Sequence, residues 1–322
     1  MRRSPGRVIL ATVMAAAAAA VVTVGTSAAT AAAPPPKPLL GGYAPDWAWY
    51  KANIGPVQIH RVYDMGWHYS TFQQTPAAGD PAAGMVTDYS FNLPPAGVAN
   101  HQYDAQLKTF ISSSPKNIIL ALWHEPEENI EKGQFTAAQF VAAQRVFANL
   151  VHSLNATDNA QRRVSITLMS VSVTGFQGRN PNNYWPGKDA NGKNYADLVG
   201  FDAYAWPHAT NTPGVPAGYT DGVKWLTAAG LLNPLIKWAH TVGSPWMLSE
   251  LGYLEDVHNP THRAATITDV VNYARANNAV AVEYWDANGQ RADWRLRWGS
   301  PTGTQSGMSN AAKAWKAAVN AP

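Results

Sequence analysis

Short runs of apolar residues, bounded by turn-forming residues, recur along the chain between positions 39 and 285. The runs are nearly continuous rather than alternating, which is typical of strands that are buried on both faces of a parallel sheet. Eight such strands are predicted, at Leu39–Ala44, Val57–Asp64, Met85–Ser90, Asn117–Trp123, Val164–Ser170, Asp197–Tyr204, Pro245–Leu251 and Asn278–Trp285.

Helical patterns lie between several of these runs. Thr136 and Gln139 have the spacing of a capping box and precede a stripe of apolar residues at helical spacing. Further helices are predicted at Trp47–Ala52, Tyr103–Ile111, Arg263–Arg275 and, with a break at Asn233-Pro234, Asp221–His240. The connection Met65–Gly84 has the composition of a loop.

Eight strands with intervening helices over roughly 285 residues predict an α/β fold, a (β/α)8 TIM barrel in a single domain. The alternative is a doubly wound open sheet, which would usually carry a glycine-rich phosphate loop after its first strand. The segment Gly41-Gly42-Tyr43 is not such a loop. The barrel is therefore the favoured fold.

The amino-terminal segment has the order of a secretory signal. A basic stretch, Met1–Arg7, precedes the Ala-rich apolar stretch Val8–Gly25 and a small-residue region. We predict a signal peptide at 1–32, a Pro-rich spacer at 33–38 and the barrel at 39–322. A transmembrane anchor is the alternative, because 18 apolar residues are just long enough to span a bilayer. Cleavage of the signal peptide would leave a secreted, extracellular protein with no stable membrane anchor.

Composition narrows the function classes. The chain of 322 residues is 46% hydrophobic and 14% charged, which excludes wholesale disorder, and it contains no cysteine, which excludes disulfides, thiol nucleophiles and iron–sulfur clusters. The net charge of +3 falls to zero without Arg2, Arg3 and Arg7, so nucleic acid is not an expected partner. The 13 Trp and 13 Tyr residues are the distinctive feature.

Two of the seven glutamates stand at the ends of predicted strands, Glu125 after the fourth and Glu250 in the seventh. In an eight-stranded barrel these strands face each other, and catalytic side chains lie at the carboxyl ends of the strands. Glycoside hydrolysis needs two carboxyl groups on either side of the bond that is cleaved. Burial beneath Trp123 and repulsion from Glu127, Glu128 and Glu250 are expected to raise the pKa of Glu125.

The segments Trp123–Pro126 (Trp-His-Glu-Pro) and Ser249–Gly252 (Ser-Glu-Leu-Gly) resemble the clan A glycoside hydrolases, which are retaining (β/α)8 enzymes. Histidine before the first glutamate is similar to glycoside hydrolase family 26, which contains β-mannanases and some β-glucanases. The resemblance implies Glu125 as general acid/base and Glu250 as nucleophile.

The same resemblance assigns further roles. His124 would contact the sugar at the cleavage subsite, Tyr204 would orient the nucleophile, and Trp285 would lie under the sugar. Stacking of a pyranose on an aromatic ring agrees with the last assignment. Apart from the resemblance, Glu250 could be a buried structural partner of Arg61; both interpretations can hold together, because an arginine beside a nucleophile keeps it ionised.

Other candidates are less specific. Trp47, Trp67 and Trp206 are candidate sugar platforms or ordinary packing residues, and Asp202 is a candidate for binding sugar hydroxyls or for capping a helix. Strand alternation places Glu283 on the same face as Trp285, which makes it a rival carboxylate.

The sequence therefore predicts a secreted retaining glycosidase for a β-mannan or β-glucan type polysaccharide. A monomer is expected, with no cofactor and no metal. Two alternatives remain: a barrel that binds saccharide without cleaving it, and a metal-dependent polysaccharide deacylase.

Overall fold

Eight parallel strands close into a barrel in which each strand pairs with the next along the chain and the eighth pairs with the first. The computed structural model describes residues 37–64, 84–171, 176–205, 227–254, 259, 261–288, 294–296 and 308–321. Pro35–Pro322 forms one compact unit. The prediction of a single-domain (β/α)8 TIM barrel is confirmed. The predicted signal peptide and residues 33–36 of the spacer lie outside the described residues.

All eight predicted strands are present, and their ends lie within three residues of the predicted ends. The strands are β1 Leu39–Tyr43, β2 Ile59–Asp64, β3 Val86–Phe91, β4 Ile118–Leu122, β5 Arg163–Val171, β6 Leu198–Ala205, β7 Trp246–Tyr253 and β8 Ala281–Trp285.

The described helices are α1 Trp47–Ile54, α2 Pro95–Ala99, α3 Asp104–Ser113, α4 Pro126–Glu131, α5 Ala137–Asp158, α6 Ala228–Val242, α7 His262–Ala276 and α8 Asn310–Val319. The predicted capping box starts α5, because Thr136 Oγ1 accepts from the Gln139 N–H at 3.1 Å and the Gln139 side chain accepts from the Thr136 N–H at 2.8 Å. The short helices α2 and α4 and the last helix α8 were not predicted.

The predicted break at Asn233-Pro234 is wrong, because α6 runs through Pro234 to Val242. Leu231 and Leu235, on either side of the proline, are both fully or almost fully buried. Their burial offsets the roughly 3 kcal/mol that an internal proline costs a helix. Residues 221–226 of this predicted helix, and 65–83 of the predicted loop, lie outside the described residues.

The barrel interior changes from apolar to polar along the strands. At the amino ends, the interior is filled by an apolar cluster of Ile59, Val86, Ile119, Leu198, Met247 and Ala281. Two residues further along each strand, alternation returns the chain to the interior. These positions hold Arg61, Asp88, Ala121, Gly200, Ser249 and Glu283.

Glycine is required at one position of this second layer. A Cβ on Gly200 would lie 2.2 Å from Ser249 Oγ and 2.7 Å from Thr167 Oγ1. The missing side chain therefore leaves room for the hydroxyl groups of two neighbouring strands.

Among the described elements, the helix α8 packs against the first helix and contacts the first strand through it. Trp315 of α8 is fully buried, and its Nε1 donates to Tyr50 Oη in α1 at 2.6 Å. Tyr50 Oη in turn donates to the Gly41 carbonyl of β1 at 3.1 Å. Among the described residues, no helix combines the length and apolar character that a membrane span requires.

Trp315→Ala is expected to lower the free energy of unfolding by about 3–5 kcal/mol, because it leaves a cavity and removes the donor to Tyr50. Urea unfolding measures the change. Lys316→Ala is the matched control, since Lys316 is exposed on the same helix, and should change stability by no more than about 0.5 kcal/mol. Equal effects of the two substitutions would contradict the stabilising role of Trp315 in the packing of α8 against α1.

Candidate active site

A bulge in β7 directs Glu250 into the barrel. Leu248 pairs with Phe201, but Glu250 pairs with Asp202, so Ser249 is one extra residue in the ladder. Regular alternation after Met247 and Ser249 would turn Glu250 toward the surrounding helices. The bulge instead brings Glu250 level with Asp202, and both side chains enter the barrel interior.

Glu125 is positioned by an unusual turn after β4. Trp123 has φ 60° and Glu125 has φ 48°, so both lie in the left-handed region that is uncommon for residues other than glycine. The Trp123 N–H donates to the Phe91 carbonyl at 2.7 Å, and the Glu125 N–H donates to the Thr167 carbonyl at 3.1 Å. These bonds to β3 and β5 hold a conformation that costs about 1–3 kcal/mol for each residue.

The bulge and the turn bring three carboxyl groups together. Glu125, Asp202 and Glu250 each place an oxygen within 4.8 Å of the other two. The two predicted catalytic glutamates therefore meet across the barrel mouth. This contact of one oxygen from each is compatible with the roughly 5–5.5 Å between the carboxyl groups of retaining glycosidases and is shorter than the roughly 6.5–9.5 Å of inverting ones.

Both oxygens of Glu250 accept hydrogen bonds from tyrosines. Tyr204 Oη donates to Oε2, and Tyr63 Oη donates to Oε1. Arg61 Nε donates to Tyr63 Oη at 2.8 Å. The structure thus places Tyr204 against Glu250, while Arg61 reaches Glu250 through Tyr63. Tyr63 was missed from the sequence, although it follows Arg61 by two residues and so shares its inward face.

The environments of the two glutamates differ. Burial and the charges of Glu250, Glu127 and Glu128 raise the pKa of Glu125 well above its ordinary value. Burial also raises the pKa of Glu250, but the charge of Arg61 and the two tyrosine hydroxyls oppose that effect. Of the two glutamates, Glu125 therefore has the pKa that is raised further, although its contact with Asp202 opposes the rise, and Glu250 is the one with a nearby cation and two hydroxyl donors.

Asp202 lies beside both glutamates and is fully buried. Burial and the charges of Glu250 and Glu125 raise its pKa well above the ordinary value. Because it lies within β6, it caps no helix. Its binding of a sugar hydroxyl stays a prediction. Its neighbours identify it as a partner of the two glutamates.

An aromatic wall adjoins Glu250. Trp285 stacks on Tyr43 with ring centroids 4.4 Å apart, and Tyr63 meets Trp285 edge-on at 5.3 Å. Tyr43 covers one face of Trp285, so a sugar can stack only on the other face. His124 lies against Tyr63 at 5.0 Å, on the same side of the barrel mouth.

Trp47 does not belong to this wall. Its ring stacks on His60 at 3.6 Å and on Tyr50 at 5.2 Å, in the packing between α1 and β2. The structure therefore does not bring Trp47 together with the aromatic wall, and a sugar platform at Trp47 stays a prediction. Trp67 and Trp206, the other two candidate platforms, lie outside the described residues.

Glu283 points into the barrel, as alternation predicted, but it is fully buried in the second interior layer with Arg61 and Asp88. Burial and the charge of Asp88 raise its pKa well above the ordinary value. Glu283 therefore lies below the carboxyl groups at the mouth, without exposed surface.

A separate cavity of about 380 Å³ opens at the amino ends of the strands. It is lined by polar residues that include Arg163, Lys193 and Asp197, and by none of the clustered carboxylates. It is distinct from the candidate active site.

Three solved structures of similar fold are glycosidases. The first is an endo-β-1,4-glucanase from Xanthomonas axonopodis pv. citri, with 14% identity and a TM-score of 0.54, and the match covers 89% of this chain and 95% of that one. The second is a β-glycosidase from Pyrococcus horikoshii, with 13% identity, a TM-score of 0.52 and coverage of 85% and 84%. The third is the catalytic domain of a GH26 endo-β-1,4-mannanase from Bacillus sp. JAMB-750, with 14% identity, a TM-score of 0.51 and coverage of 88% and 85%. No protein-family model matches the chain, and no curated protein is detectably similar to it. At these identities the likeness shows the barrel fold.

The His124 ring should stay neutral down to about pH 4, because burial and the charge of Arg61 lower its pKa to about 3. Proton and nitrogen NMR of the ring, assigned with His124→Gln, measures the titration. In urea the unfolded chain should titrate near the ordinary value of about 6.5. A folded-state transition near that value would contradict the described environment.

Proposed function

We propose that the chain is a retaining glycoside hydrolase that cleaves β-glycosidic bonds of a polysaccharide. The observation that carries this proposal is the pair Glu125 and Glu250. One oxygen of each lies within 4.8 Å of the other; the pKa of Glu125 is raised well above its ordinary value, whereas at Glu250 the charge of Arg61 and two tyrosine hydroxyls oppose the rise that burial causes. A proton donor and an ionised carboxylate at this separation are what double displacement requires.

In the first step, a Glu250 oxygen attacks the anomeric carbon as the bond from that carbon to the leaving oxygen breaks. Glu125 transfers its proton to the leaving oxygen, which departs as an alcohol. In the second step, Glu125 takes a proton from water as the water oxygen attacks the same carbon, and the bond to Glu250 breaks. The sugar leaves with its original anomeric configuration, and both glutamates return to their starting states.

The neighbouring side chains have supporting roles in this proposal. The hydroxyls of Tyr204 and Tyr63 hold both oxygens of Glu250 and so fix the direction of attack. The face of Trp285 opposite Tyr43 stacks on the sugar at the cleavage subsite. The neutral His124 ring can donate one hydrogen bond to a sugar hydroxyl without adding charge near Glu125.

The substrate class is proposed from three lines of support. The similar structures are a β-1,4-glucanase, a β-1,4-mannanase and a β-glycosidase. The motifs Trp123–Pro126 and Ser249–Gly252 resemble clan A enzymes, with family 26 the nearest in motif. The signal-like segment 1–32 favours an exported enzyme, whose substrates are extracellular polysaccharides. A β-mannan or β-glucan is therefore the proposed substrate.

Glu125→Ala should lower hydrolysis by about 10²–10⁴-fold, the usual contribution of general acid–base catalysis, and Glu250→Ala should abolish it. Reducing-sugar release from mannan, xyloglucan, β-glucan, xylan and arabinan measures the activity. Glu131→Gln is the matched control, because Glu131 is half-exposed and paired with Arg179. Wild-type rates in folded Glu125→Ala and Glu250→Ala variants would rule out the proposal.

Azide distinguishes the two glutamates. It should restore activity to Glu250→Ala by taking the place of the lost nucleophile, and the product should be a glycosyl azide of inverted anomeric configuration. Recovery with an azide product of retained configuration would instead assign the nucleophile role to another carboxylate.

One observation favours a second function. Three carboxylate oxygens within 4.8 Å have the chemistry of a site for a hard divalent cation, which a metal-dependent polysaccharide deacylase would use. A chelator should leave glycosidase activity unchanged and would abolish deacylation. Calorimetric binding of oligosaccharide without any product would select the third possibility, a barrel that binds sugar without cleaving it.

A further inference from the structure

Glu127 is a buried carboxyl group that the proposed mechanism does not use. It is the second residue of α4 and follows Glu125 by two positions. Only 1% of Glu127 is exposed, whereas the adjacent Glu128 is partly exposed and pairs with Lys132. A carboxyl group is costly to bury unless it forms hydrogen bonds, so the burial of Glu127 requires a physical account.

The Glu127 carboxyl group is bonded to the backbone of β5. The Met169 N–H donates to Glu127 Oε1 at 2.8 Å. The other oxygen, Oε2, is buried and forms no hydrogen bond with any described residue. The bond to Met169 therefore sets the direction of this side chain.

This bond takes the place of pairing between two strands. The ladder between β4 and β5 has only two residue pairs, both at the start of β5, and β5 continues well beyond them. Backbone groups on the rest of this edge of β5 need partners from outside the ladder. A side-chain carboxyl group from α4 supplies the acceptor for one of them, the Met169 N–H.

The bond lies next to the one that holds the backbone of Glu125. The Glu125 N–H donates to the Thr167 carbonyl at 3.1 Å, and Thr167 precedes Met169 by two residues. The polar groups of alternate residues in a strand face the same side, so both bonds lie along one edge of β5. One of them acts on the main chain of Glu125, and the other acts two residues later, through the side chain of Glu127.

The turn at Glu125 depends on such restraints. Its φ of 48° costs about 1–3 kcal/mol for a residue other than glycine and persists only when the surrounding structure holds it. Without the bond to Met169, the start of α4 would keep no hydrogen bond from the Glu127 side chain to β5. The strained turn would then relax more easily and move the carboxyl group of Glu125.

Glu127 also acts through its charge, but this effect is separable from the hydrogen bond. Burial, the charge of Glu250 and the charge of Glu127 raise the pKa of Glu125. Burial raises the pKa of Glu127 itself to about 7. Below that pH the side chain is largely neutral, yet its carbonyl oxygen still accepts from the Met169 N–H. A substitution can therefore remove the charge and keep the bond.

We propose that Glu127 is a positioning residue for the general acid: by accepting the Met169 N–H, it fixes the turn that directs the carboxyl group of Glu125 toward the leaving oxygen. The inference rests on the proposed function, because that function makes Glu125 the general acid. It assigns Glu127 no contact with substrate and attributes its effect to the reach of the side chain rather than to its charge.

The kinetic test compares Glu127→Gln with Glu127→Asp. Glutamine keeps an oxygen at the same reach and removes the charge, whereas aspartate keeps the charge and is one methylene shorter. We expect kcat/KM on the hydrolysed polysaccharide to stay within about threefold of wild type for Gln and to fall by about 10- to 100-fold for Asp, because a displacement of about 1 Å at the reacting groups can cost about 10²-fold. The reverse order would assign the effect to charge and overturn the inference.

An activated substrate makes the readout specific to the general acid. The dinitrophenolate of a dinitrophenyl β-glycoside leaves without a proton, so its release does not need Glu125 as a proton donor. On this substrate, Glu127→Asp should lower kcat/KM by no more than about threefold. A general distortion of the barrel mouth would also move Glu250 and slow both substrates. Equal losses on the two substrates would overturn the positioning role.

Glu128→Asp is the matched control. It makes the same change one residue along the chain, at a partly exposed side chain that pairs with Lys132, and should leave both rates within about twofold of wild type. If Glu127→Asp does not fold, Glu127→Gln still decides the question. Wild-type rates in that variant support a role through reach, and a large loss on the polysaccharide overturns it.

Hydrogen exchange at the Met169 amide tests the bond without substrate. Methionine labelled with heavy nitrogen limits the NMR spectrum to the seven methionines of the chain, and Met169→Leu assigns the signal. The amide should exchange about 10-fold faster in Glu127→Asp than in wild type or Glu127→Gln, as expected for one lost bond to a carboxyl group. Equal exchange in all three proteins would overturn the inference.

The two kinds of measurement separate the possible failures. If no substrate is hydrolysed but Glu127→Asp exposes the Met169 amide to exchange, the proposed function fails while the bond from Met169 to Glu127 stands. If hydrolysis is found and Glu127→Asp has wild-type rates on both substrates, the positioning role fails while the proposed function stands.

Discussion

The cost of burying carboxylates governs the architecture of this barrel. Asp88, Asp202, Glu250 and Glu283 are buried within it, and one guanidinium, that of Arg61, acts on all four. One cation cannot compensate four anions in a medium from which water is excluded. The interior must therefore hold protons and hydroxyl donors in defined places. Because of these different surroundings, two carboxyl groups a short distance apart, Glu125 and Glu250, can differ in how readily they hold a proton.

Irregularities in the backbone place the carboxyl groups inside the barrel. The extra residue Ser249 turns Glu250 inward, and left-handed conformations at Trp123 and Glu125 turn the end of β4 toward the mouth. Gly200 makes room for hydroxyl groups where a side chain would collide. Each feature costs stability locally, and the closed, well-buried sheet around it supplies the compensation.

The fold was predictable because strands that are buried on both faces of a parallel sheet have nearly continuous apolar runs in the sequence. The locations of Glu125 and Glu250 followed from the same runs, since both stand where apolar strands end. The inward direction of Glu250 did not follow, because alternation from Met247 gives the opposite answer unless the bulge is known. Nor did the packing of Trp47, because its stacking on His60 depends on how α1 packs against β2. Tyr63 was within reach, as the residue two after Arg61.

The central claim is that Glu250, among the clustered carboxylates, becomes covalently bonded to the sugar during turnover. A 2-deoxy-2-fluoro glycosyl fluoride of the hydrolysed sugar slows the second step more than the first, so the covalent intermediate accumulates. Peptide mapping by mass spectrometry of the inactivated protein should then find the added sugar on Glu250. A label on Glu125, Asp202 or Glu283, or inactivation without any covalent adduct, would contradict the account.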